Sequence, residues 1–150
     1  MKIKNYKLKI KNGFTLIELL VVISIIGILI GISLVALAGA RAAGRDTRRK
    51  GDLEQIRSAL EIYRADCGAY PTSASLNFGA GALTGTCPTV NTYMALIPND
   101  PLTPTGRYYY ARITNNTYQL CARVEKGGAT GVCGANFCGS LQCNYIVTNP

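Results

Sequence analysis

The sequence predicts an α+β fold. One long N-terminal helix, transmembrane in its first half and amphipathic in its second, packs on a small antiparallel sheet and is followed by a disulfide-rich C-terminal region. Three observations predict it. An unbroken apolar run extends from Phe14 to Ala40. Leu53, Ile56, Leu60 and Tyr63 then recur at the three- and four-residue spacing of one helix face. Beyond them, two segments of alternating character flank Asn115-Asn116, and all six cysteines lie after residue 66.

The apolar run carries one charge, Glu18, and no proline. At ~1.5 Å per helical residue it spans about 40 Å, more than the ~30 Å hydrocarbon core of a bilayer. A secretory signal would have an apolar stretch of roughly 7–15 residues with its cleavage site behind it. Here the run is too long for that, and the natural cut point lies in front. Of 16 basic residues, five (Lys2, Lys4, Lys7, Lys9 and Lys11) precede the run, leaving 11 basic against 8 acidic residues from Phe14 onward. The net charge of +8 is therefore largely an N-terminal signal. The chain divides into a basic leader (1–13), a transmembrane and assembly helix (14–40) and a globular head (41–150).

Lys11-Asn12-Gly13-Phe14-Thr15-Leu16-Ile17-Glu18-Leu19-Leu20 resembles the processing site of type IV prepilins and type II secretion pseudopilins. The resemblance implies that a prepilin peptidase cuts after Gly13 and that the new amine of Phe14 is methylated. A carboxylate in a membrane is costly, which makes Glu18 a functional candidate whose partner must be named. The α-amine of Phe14, created by cleavage, is one partner, and the family implies that it belongs to a neighbouring subunit during assembly. Alternatively, Glu18 lies only about 6 Å along the axis from Phe14 and snorkels to the interface. Gly27 and Gly31 form a small-xxx-small pair that permits close helix approach in lipid. Many type IV pilins carry a proline in this half of the helix; none precedes Pro71 here, which leans toward the pseudopilin branch, whereas cysteine-rich C-terminal loops resemble those of type IV pilins and lean the other way.

The helix continues to Asp66 and should stop at Cys67-Gly68, before Tyr70-Pro71. Asp46/Lys50 and Arg57/Glu61 fall at i,i+4, which predicts a solvated, internally paired outer face. Arg41, Arg45, Arg48 and Arg49 share one face; lipid headgroups, acidic faces of neighbouring subunits, nucleic acid or plain solvation would each suit them. Nucleic acid is disfavoured, because no aromatic residues interleave with the arginines. The same arginines cancel the leader lysines as an orientation signal. An outward head, in an inner membrane and then in a periplasmic or extracellular filament, therefore rests on the resemblance and the cysteines. Residues 56–73 also resemble the helix end and following turn of pilins and pseudopilins, many of which have asparagine at the Cys67 position.

Residues 72–89 have no clear period and are expected to form a connecting loop. Pro98-Asn99-Asp100-Pro101 resembles the turn into the sheet of major pseudopilins, without the usual aromatic-glycine after it. A two-residue hairpin at Asn115-Asn116 would set Tyr109, Ala111 and Ile113 opposite Ala122, Leu120 and Tyr118 on the helix-facing side, with Tyr108 and Tyr110 on the other. The tyrosines are expected to be packing residues rather than a binding cage. Cys67, Cys87, Cys121, Cys133, Cys138 and Cys143 are disulfide candidates with fifteen possible connectivities. A zinc site of Cys133, Cys138 and Cys143 with Cys121 is the alternative, in a membrane-anchored metal- or nucleic-acid-binding module. Major pseudopilins often bind calcium in the C-terminal loop, but Glu125 is the only acid after Asp100, so no calcium site and no cofactor is expected.

There is no histidine, no spaced carboxylate pair and no phosphate loop, so no enzyme is expected. The resemblance implies a structural subunit of a type IV pilus-like or type II secretion pseudopilus filament, with a DNA-uptake pilin among the alternatives. Its partners would be the membrane, identical or related pilin subunits, the prepilin peptidase, and the ATPase and platform proteins of assembly.

Overall fold

The computed structural model describes residues 13–104, 106–129, 133, 136 and 138–149. The basic leader therefore lies outside the described residues, apart from Gly13. In chain order the elements are α1 (Leu16–Cys67), a 3-10 turn (Ser73–Ser75), β1 (Leu83–Thr86), β2 (Val90–Met94), β3 (Tyr109–Thr114), β4 (Thr117–Ala122) and β5 (Tyr145–Thr148). The chain forms two compact units that divide between Gly39 and Ala40.

In the N-terminal unit, the side chains from Phe14 to Leu37 are exposed. This part of α1 is long and apolar enough to cross a membrane by length and composition. Its internal hydroxyls are satisfied locally: Ser24 Oγ donates to Leu20 O and Ser33 Oγ to Leu29 O, both at 2.8 Å.

In the second unit, α1 ends where glycine takes over. Gly68 adopts φ 72° and its N–H donates to Arg64 O at 2.8 Å, the left-handed cap that closes a last helical turn. Leu53, Ile56 and Leu60 are almost fully buried, against Tyr110, Tyr118, Leu120 and Val147 of the three-stranded antiparallel sheet β3-β4-β5. Each buried aliphatic contributes about 1.5–3 kcal/mol. The opposite face of the sheet covers a second, smaller core of Cys121, Cys133, Cys138 and Cys143 with Tyr109 and Ile146.

The hairpin register differs from the simple one. Tyr109 pairs with Cys121, Tyr110 with Leu120 and Arg112 with Tyr118, whereas Thr114 pairs with Thr117. Ile113 is thus an extra residue in β3, and it is exposed. A bulge of this kind moves the whole strand by one position and exchanges its two faces. Tyr108 and Tyr110 therefore enter the main core in place of Tyr109, Ala111 and Ile113. The turn is held by Thr114 Oγ1 and Thr117 Oγ1, 2.7 Å apart, and by Asn116 N donating to Thr114 Oγ1.

Residues 72–89 are more ordered than the expected loop. They contain the 3-10 turn and β1, which pairs with β2 as a separate two-stranded sheet. Leu83 is fully buried, and Gly85 lies so close to Tyr63 that a Cβ would come within 2.7 Å of its ring. Small residues allow this approach, and they are also what hid the strand.

Candidate functional site

The N-terminus of α1 is built as a capping box. Thr15 precedes the first helical residue, and its N–H and hydroxyl both donate to Glu18 Oε2, at 2.9 and 2.8 Å. Glu18 N–H donates back to Thr15 Oγ1 at 3.3 Å. Two amides that the helix cannot serve are thereby satisfied reciprocally. The carboxylate that the sequence singled out is held within its own chain, and the adjoining Gly13 and Phe14 are exposed. Gly27 and Gly31 are exposed too, with open space where a Cβ would stand.

The arginine face in the second unit departs furthest from expectation. Arg49 is 2% exposed, and it is neither solvated nor at a lipid surface. Its Nε donates to Asp100 Oδ2 at 2.8 Å and its Nη2 to Asp100 Oδ1 at 3.1 Å. Its Nη1 donates to Asp46 Oδ1 at 2.7 Å and to Glu125 Oε1 at 2.9 Å. Arg45 reaches the same Glu125 through two further bonds, and Asp46 accepts the N–H groups of Glu125 and Lys126. One guanidinium thus joins the helix, the 98–106 turn and the segment after β4. The planar fork with several fixed donors suits arginine and not lysine.

Burial opposes the charge on Arg49, and the surrounding carboxylates more than reverse it, so its pKa is raised. The Arg45 hydrogen bonds, helped by Arg49, pull Glu125 down to about 2 against its partial burial. Burial pushes Asp46 up, yet the amides of Glu125 and Lys126 together with Arg49 leave it below the ordinary carboxylate range. The expected Asp46/Lys50 and Arg57/Glu61 pairs do not form. Lys50 stands over the Tyr145 ring at 5.3 Å, and Arg57 pairs with Glu54.

Two other carboxylates of α1 hold tyrosines of the head. Tyr108 OH donates to Asp52 at 2.7 Å, and Tyr70 OH donates to Glu61 at 2.9 Å. Burial, and then Asp52, raises the Tyr108 pKa. The cysteines pair as Cys67–Cys87, Cys121–Cys133 and Cys138–Cys143. The four of the zinc alternative are thus joined in two disulfides. The sequence reading missed the Arg49 cluster, although a signal was present. Asp46 and Arg49 continue the Leu53–Ile56–Leu60 stripe backwards at spacings of four and three, so position marked them as inward-facing where residue type did not.

Residues 8–38 match the prokaryotic N-terminal methylation motif, and residues 36–136 match type II secretion system (T2SS) protein G. Curated relatives agree. The chain is similar to the type II secretion system core protein G of Pseudomonas aeruginosa, with 38% identity over 63 residues, 42% of this chain and 44% of that protein. The namesake from Klebsiella michiganensis is 31% identical over 99 residues, 66% and 58% of the two chains. That from Pectobacterium carotovorum is 32% identical over 100 residues, 61% and 62%. The chain thus spans about half the length of the curated relatives it matches. No solved structure matches it. With the methylation motif matched from the end of the leader through most of the apolar run and protein G matched over about two thirds of the chain, the chain belongs to the type II secretion system protein G family and carries the prepilin-type methylation motif.

Proposed function

We propose that this chain is a structural subunit of a type II secretion pseudopilus. It is made as a precursor, cut between Gly13 and Phe14 by a prepilin peptidase, and methylated on the new amine of Phe14. Residues 14–40 hold it in the inner membrane until the helix moves from lipid into a bundle of like helices in a periplasmic filament, driven by the ATPase and platform proteins of the assembly machine. The head, residues 41–150, forms the outer surface. In this reading Glu18 exchanges its Thr15 partner for the Phe14 amine of a neighbouring subunit, and Gly27 and Gly31 allow neighbouring helices to approach. The chain's role is mechanical, with no catalytic residue.

The single observation that carries the reading is the exposed apolar stretch of α1 behind a dense cleavage motif. A side-chain surface of this kind needs lipid or copies of itself. Mass analysis of the native N-terminus tests it: the expected first residue is N-methyl-Phe14. Gly13→Leu should leave the leader attached. Protein of mature length from that variant would overturn the processing step.

A further inference from the structure

The three disulfides are not equivalent. Cys121 and Cys133 are fully buried, and Cys138 and Cys143 are 1% exposed, all four within the small core behind the sheet. Cys67 and Cys87 are only half-buried. They join the last residue of α1 to the turn between β1 and β2. That hairpin belongs to neither edge of the three-stranded sheet. Apart from the disulfide it is held by Leu83 in the core with Met94 packed against it, by Gly85 and the Tyr93 ring against Tyr63, and at its base by Ile97 N–H donating to Gly81 O and Gly79 N–H to Ile97 O.

From this we infer that Cys67–Cys87 is a thiol–disulfide exchange site, the one bond of the three open to an external dithiol, and that its reduction releases the β1–β2 hairpin while the rest of the head stays folded. Exchange requires a thiolate to reach a sulfur, which the partial exposure of Cys67 and Cys87 favours and the closed core around the other four cysteines opposes. The step balances as follows. A thiolate of the dithiol attacks Cys67 Sγ, forming a mixed disulfide and expelling Cys87 as a thiolate that takes a proton from water. The second thiol of the reductant then displaces Cys67, which is protonated in turn. Two electrons pass to the protein, and the reductant ends as its own disulfide. Cys87 is the better leaving group, because a thiolate on Cys67 would sit at the negative end of the helix and next to Asp66.

The experiment uses the full chain in detergent, without denaturant, treated with increasing dithiothreitol, alkylated and mapped by mass spectrometry. Cys67 and Cys87 should be labelled at least about tenfold sooner than the other four cysteines. Simultaneous labelling of all six, or earlier labelling of Cys121, Cys133, Cys138 or Cys143, would overturn the proposal. Hydrogen exchange on the double variant Cys67→Ser/Cys87→Ser provides the second arm. Amides of residues 83–94 should lose protection while those of β3, β4 and β5 keep it. Unchanged protection in the hairpin, or loss throughout the head, would refute the release.

Discussion

At Arg49 one side chain satisfies three carboxylates that arrive from different parts of the chain, with Asp100 fully shielded from water. Removing it leaves the buried Asp100 carboxylate without the guanidinium that balances its charge, while Glu125 keeps Arg45 and Asp46 keeps its two amides. Arg49→Ala should therefore cost about 3–5 kcal/mol, measured by urea unfolding. Arg49→Lys should recover little, because one ammonium cannot span the fork. The same cluster sets an acid limit. Glu125 and Asp46 titrate below their ordinary values when folded, so the stability they contribute is complete above the carboxylate range and is lost as the pH falls. Unfolding free energy should be level from neutral pH to about 4.5 and then decline towards pH 2, with a shallower decline in Arg49→Ala. An identical slope in the two proteins would remove the cluster from the account. Little of this was legible in the sequence, since charges inside a fold look like charges outside it until their helical position is compared with the apolar stripe.

At the level of elements, legibility followed periodicity. The α1 stripe of Leu53, Ile56 and Leu60 was visible because long helices repeat their inward positions, and the glycine stop was visible because Gly68 must take a positive φ. The β1 strand, Leu-Thr-Gly-Thr, has one large apolar residue and no alternation to detect. In β3 the alternation was visible but its phase was not. A bulge inserts one residue without changing composition, so the strand's two faces exchange silently. The exchange makes a discriminating prediction. Tyr110, buried between Tyr118 and the helix stripe and donating to Pro71 O, should cost about 3–5 kcal/mol when changed to alanine. Ile113→Thr, at the exposed bulge, should stay within about 0.5 kcal/mol. A simple two-residue hairpin would place Ile113 inward and Tyr110 outward, so the opposite ranking in denaturant melts would restore that register.

For the molecule as a whole, the division between an apolar stretch and a disulfide-braced head was evident from the chain, since greasy length and cysteine placement are one-dimensional signals. The role of Glu18 is not of that kind, because Thr15 already occupies it. Two substitutions separate the cap from the proposed intersubunit pairing. Glu18→Ala removes both, and the cap alone is worth about 0.5–2 kcal/mol at one helix end, too little to prevent insertion or cleavage. Glu18→Gln retains a capping box, in which glutamine serves as well as glutamate, but cannot neutralise a neighbour's amine. A hydrogen bond between charged groups contributes about 1.5–3 kcal/mol, an order of magnitude or more in the affinity of each subunit contact. Both variants should accordingly appear at mature length in the membrane fraction, and both should yield at least about tenfold less sheared filament. If Glu18→Gln assembled normally while Glu18→Ala did not, the carboxylate would be acting through the cap, and the charge pairing would have to be abandoned.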